Sequence, residues 1–129
     1  MQFDETTQTL VDWLVRQAST DSVDANPSAY EYVTASGDVC ACGDWLVQAG
    51  VPTGWLRLQA GKDVEQVLLD AWADGLLGLR EREAPLLGRL ASRLQVVSDA
   101  GVPWGAAAAH VLLLLADVAS LDGLEADSY

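Results

Sequence analysis

The stretch GVPWGAAAAHVLLLLADVASL, residues 101–121, decides the fold. It has the length of a membrane span, roughly 20 residues. Pro103, His110 and Asp117 interrupt it, however, and its unbroken apolar run covers only Val111 to Ala116. A helix buried within protein accounts for it better. Gly101 closes the preceding helix and Pro103 sets the first turn of this one. Apolar residues cover most of its circumference, so it is expected to be the central, most buried element, running to about Leu121. Residues 122–129 then form a flexible acidic tail.

Working outward, helix periodicity recurs through the chain. Glu5 to Ala18 carries Leu10, Val11, Leu14 and Ala18 on one face, with Asp4 or a nearby Thr as cap. Ser19 to Ser28 is polar, and Asn26-Pro27 is a turn signal. Tyr30 to Thr34 alternates; with Ser36-Gly37 and Val39-Cys40 it allows a small β-hairpin. Ala41 to Ala49 is helical up to Gly50, and a short helix spans Thr53 to Ala60. Lys62 to Leu77 presents Val64, Leu68, Ala71, Trp72 and Gly75. Pro85 opens a helix whose stripe is Leu86, Leu87, Leu90, Ala91, Leu94 and Val97. Ala-Gly-Val-Pro occurs twice, at 49–52 and 100–103, as shared turn chemistry.

The 129 residues include nineteen Asp or Glu, seven Lys or Arg and one His, for a formal charge of −12. That length suits one domain, placed here at residues 1–121. Half of the residues are hydrophobic, enough for a core. The negative surplus argues against binding nucleic acid phosphates or an anionic membrane. The surplus is uneven: residues 1–50 hold eight acids and one base, residues 51–100 seven and six, residues 101–129 four and none. The start Met1-Gln2-Phe3-Asp4-Glu5 lacks the features of a secretory signal. Cys40 and Cys42 make no disulfide framework, so a cytoplasmic protein is expected.

Two local resemblances appear. Asp44 to Leu56 (DWLVQAGVPTGWL) resembles the turn of bacterial helix-turn-helix repressors, which implies a transcriptional regulator. DNA readout needs polar and basic side chains on the second helix, and Thr53 to Ala60 offers Arg57 and Gln59. Cys40-Ala41-Cys42-Gly43, and Ser98-Asp99-Ala100-Gly101-Val102-Pro103-Trp104 with Ala107-Ala108, resemble a group of small uncharacterised phage and bacterial proteins. That group carries Cys-x-x-Gly and Asn-Asp-x-Gly-x-x-aromatic-x-x-Ile-Ala motifs; here Ser98 replaces the Asn and Ala107 the Ile. The resemblance implies a phage or bacterial accessory protein and brings no activity or ligand with it.

Other constellations are weaker. A zinc site on Cys40 and Cys42 would need about two more Cys or His ligands. His110 is the sole imidazole, and Asp38 and Asp44 would disfavour thiolates. Ser98, His110 and Asp117 form a nominal triad with no nucleophile elbow or oxyanion motif. His110 and Asp117 lie two turns apart on one helix face. Arg82, Arg89 and Arg93 make a basic stripe expected to pair with Glu81, Glu83 and Asp99. Among the tryptophans, Trp72 reads as core, whereas Trp55 and Trp104 follow Gly-Val-Pro turns and are candidates for exposure.

The sequence thus predicts a mainly α domain, a compact bundle of about five helices with room for a hairpin near residues 30–40. Its function is read as a non-enzymatic, acidic protein-binding module without cofactor or metal, of the inhibitor, immunity-protein or phage accessory type. Asp12, Asp21, Asp24, Glu31, Trp55 and Trp104 are the candidate contacts to a basic partner. A homodimer is compatible with this reading. The alternatives are a helix-turn-helix regulator and an enzyme or metal protein using His110 with Cys40 and Cys42.

Overall fold

A computed structural model describes residues 3–27 and 31–127, with side chains through residue 118. Among the described residues six α-helices form the body: α1 (Glu5–Ser19), α2 (Ala41–Gln48), α3 (Thr53–Arg57), α4 (Val64–Ala73), α5 (Ala84–Asp99) and α6 (Trp104–Asp127). A 3-10 turn at Glu81–Glu83 leads into α5. The most extensive helix contacts join α1 to α6 and α5 to α6, with α4 and α2 packed on α5. Helix α6 continues past Leu121 to Asp127, through most of the expected tail. No helix among the described residues is long and apolar enough to cross a membrane.

The longer helices bury stripes at three- and four-residue spacing, as the apolar pattern requires, while five-residue α3 buries Leu56 alone. Leu10, Trp13 and Leu14 face inward from α1, and Leu87, Leu90, Ala91 and Leu94 from α5. On α4 the buried stripe is Val64, Val67, Leu68 and Ala71. Trp72 lies one step round the helix from it and stands exposed, correcting its expected place in the core. Trp104 is corrected the other way: it is buried, packed on Trp13 with ring centroids 5.7 Å apart.

The expected hairpin is reduced to a single antiparallel bridge, Val33 to Val39. Thr34 N–H donates to the Asp38 carbonyl at 2.8 Å, around a turn in which Gly37 takes φ +92°. The chain enters α2 directly afterwards, so no ladder can extend. Tyr30 lies outside the described residues. A second correction concerns α6. Ala107, Ala108 and Val111 are buried against the bundle, but Ala106, Ala109, His110, Leu113, Ala116 and Asp117 are exposed. Neighbours cover one side of the helix, which makes it a flank of the bundle rather than its centre.

Candidate functional site

The two motif segments meet at Asn26. Its side-chain carbonyl accepts from the Ala41 backbone N–H at 2.8 Å and from the Trp104 indole N–H at 2.9 Å. Its amide nitrogen donates to the Asp99 carboxylate at 2.7 Å. Asn26 therefore ties the start of α2, the end of α5 and the start of α6 into one polar junction. The same segment caps α6 with backbone: Trp104 N–H donates to the Asp24 carbonyl at 2.7 Å and Gly105 N–H to the Ser22 carbonyl at 2.9 Å. Those amides have no partner within the helix, so the loop replaces a side-chain cap. A Cβ on Gly105 would lie 2.6 Å from Ser22 N, so only glycine admits the approach.

The Cys40-x-x-Gly43 motif has a matching local account. Cys40 is the N-cap of α2, its sulfur accepting from Gly43 N–H at 3.2 Å. Burial, opposed in part by that amide, pushes the Cys40 thiol up to about 11, and burial pushes Cys42 well above its ordinary value. Both thiols are thus packed and protonated at neutral pH, a poor state for nucleophilic or metal-binding work. His110 stands exposed on α6. Among the described residues no group of three or more His, Cys, Asp and Glu has metal-binding proximity.

Many acids are engaged in holding the fold. Asp4 accepts from Thr7 N–H at 2.7 Å and Arg80 N–H at 2.8 Å, while its own N–H donates to both Glu83 carboxylate oxygens. Asp63 caps α4. Asp44 accepts the Trp13 indole N–H and Asp74 that of Trp55. The ion pairs among the described residues are Lys62–Asp70 and Arg80–Glu83. Arg82, Arg89 and Arg93 take part in neither, contrary to the expected internal pairing.

The predicted partner contacts divide accordingly. Asp12, Asp21 and Asp24 are exposed and outside those ion pairs. Asp21 and Asp24 share the segment that clamps α6, Asp21 in a left-handed conformation at φ 47°, while Asp12 lies on α1. Glu31 is half-buried, with interactions of its own. Trp55 is half-exposed on α3 and tied to Asp74, away from the aspartate segment in the chain. Trp104 is inside and offers a partner nothing.

Two surface grooves accompany these features. One, of about 510 Å³, is lined by Lys62, Asp63, Gln95, Val96 and Asp99 among others. Its polar groups are already spent: Gln95 bonds to the Tyr32 hydroxyl and Val64 N–H, and Lys62 to Gln59 and Asp70. The second, of about 500 Å³, is lined by Glu65, Arg89, Ser92, Arg93, Val96 and Leu114. Neither is lined by His110, Cys40 or Cys42.

The segment from Asp44 to Leu56 turns at Gly50. Gly50 N–H donates to the Val47 carbonyl and Val51 N–H to that of Leu46, with Gly50 at φ +104°. This pattern ends a helix with a left-handed glycine. The second helix, α3, has five residues and a single cation, Arg57. Asn26 is the residue that sequence reasoning passed over, because an Asn before Pro reads as a turn whatever its side chain holds. Compared with known proteins, the chain matches no family model, no curated protein and no solved structure.

Proposed function

We propose that the protein is a small acidic docking module, without chemistry of its own, that engages a basic surface on another protein. The observation carrying this reading is the Asp21–Asn26 segment. It is held by three elements through backbone and Asn26 hydrogen bonds, while Asp21 and Asp24 project into solvent unpaired by the protein's own cations. A segment ordered before binding loses little conformational freedom on association. The net charge of −12 attracts a cationic partner over distance and raises the encounter rate. Asp12 adds to the field, and half-exposed Trp55 supplies an aromatic anchor. Small inhibitors, immunity proteins and phage accessory factors act in this manner, and a cytoplasmic setting suits two reduced thiols.

The test compares capture of proteins from the native host by the wild-type chain and by an Asp12→Asn, Asp21→Asn, Asp24→Asn variant, at low and at high salt. A partner held at low salt, released at high salt and lost to the variant is the expected outcome. Capture indifferent to both changes would sink the reading.

A further inference from the structure

A solvent-facing helix side ordinarily carries charged and polar residues. From Ala106 to Asp117 the outward side of α6 is mostly apolar. Ala106, Ala109, His110, Leu113, Ala116 and Asp117 recur along it at three- and four-residue steps, all exposed, with half-buried Leu112 and Leu114 on its shoulders. Leu113, at the centre, is 69% exposed. The apolar surface continues onto α5 through Val96, 65% exposed. Two of these α6 positions are ionisable, with opposite preferences for charge, and they are seven residues apart. At about 1.5 Å per residue that is roughly 10 Å along the axis, too far for the two to pair within one chain.

We propose that this face is the interface of an antiparallel homodimer, in which α6 packs on α6 of a second copy about a two-fold axis between Leu113 and Leu114. His110 of each chain then faces Asp117 of the other, so the pair that one chain cannot close is closed twice between two. A parallel crossing would instead oppose His110 to His110 and Asp117 to Asp117. Self-complementarity under a two-fold axis defines an isologous dimer interface. Alanines beside the leucines let the helix axes come to the short end of the usual range, about 8 Å. Among the exposed residues of the face only Asp117 is acidic, and Arg89 and Arg93 border it on α5 outside any described ion pair, which lowers the repulsion between two acidic chains there. The face includes neither Asp21 nor Asp24, and self-association is read without the docking partner, so the proposal stands or falls independently of the docking role.

Sedimentation equilibrium from about 1 µM to about 1 mM tests it. The wild type is expected to dimerise with a dissociation constant within that range, and Leu113→Glu to remain monomeric with an unchanged helical spectrum. Should Leu113→Glu fail to fold, Ala109→Arg, at an exposed alanine, must give the same loss. His110→Asp alone and Asp117→Arg alone should each weaken the dimer by about tenfold, through like-charge contacts made twice. The double variant should recover to within about threefold of the wild type. A wild-type monomer throughout the range, or a dimer indifferent to both Leu113→Glu and Ala109→Arg, overturns the proposal. A double variant no better than the singles overturns the antiparallel register.

Discussion

Gly43 has no room for a side chain: a Cβ there would lie 2.0 Å from the Tyr32 carbonyl oxygen, itself fixed by the Cys40 N–H. Gly43→Ala must push α2 away from residues 31–33 and is expected to lower unfolding free energy by about 2 kcal/mol or more in urea titration. Gly54→Ala, on α3 with nothing within 4 Å, should be neutral or stabilising by up to about 1 kcal/mol. Asp4 sets a second test. Burial alone would raise its carboxyl, but the amides of Thr7 and Arg80 outweigh this and hold it below the usual 3.8. The folded state therefore favours ionised Asp4. Its contribution is present above about pH 4 and is lost as the pH falls through the depressed folded value. The melting temperature should drop as the pH falls below about 4. Asp4→Ala, already less stable by about 1 kcal/mol through loss of the cap, should show a shallower drop. The capping role of Asp4 was legible in the sequence, since an Asp before an apolar-periodic run is a start signal. Its bonds to Arg80 and Glu83 were not, because no local rule links positions so far apart in the chain.

Among the described residues there are six helices where about five were expected, and periodicity and punctuation placed most of their ends within a few residues. Gly50 and Gly101 end α2 and α5 in the left-handed conformation, as the repeated Ala-Gly-Val-Pro implied. The prolines differ from expectation by one position. The carbonyls of Pro52 and Pro103 accept the first helical bonds of α3 and α6, so each occupies the cap position instead of the first turn. Periodicity misled where a helix is apolar all round. On α6 the hydrophobic pattern has no preferred side, so the sequence could not say which half would be left uncovered. The connection between elements is where Asn26 matters. Asn26→Ala would leave the Ala41 backbone N–H and the Trp104 indole N–H without their acceptor, at a cost of about 2–4 kcal/mol in thermal or urea unfolding. Asn26→Asp keeps the acceptor but sets a carboxylate against Asp99, and should recover only part of that loss.

At the scale of the molecule, the mainly α architecture followed from composition and period, whereas the distribution of charge did not. The terminal segments hold most of the surplus acids by count, yet Asp4 and Asp44 are tied into a cap and an indole bond, leaving fewer for a partner. Which carboxylates were consumed depended on tertiary contacts that a linear reading cannot see. The pairing of α1 with α6 has a temporal consequence. During translation α1 is made well before α6, whose Trp104 packs on Trp13. Until α6 arrives only α2 and its neighbours can cover part of the apolar stripe of α1, so its full burial waits for α6.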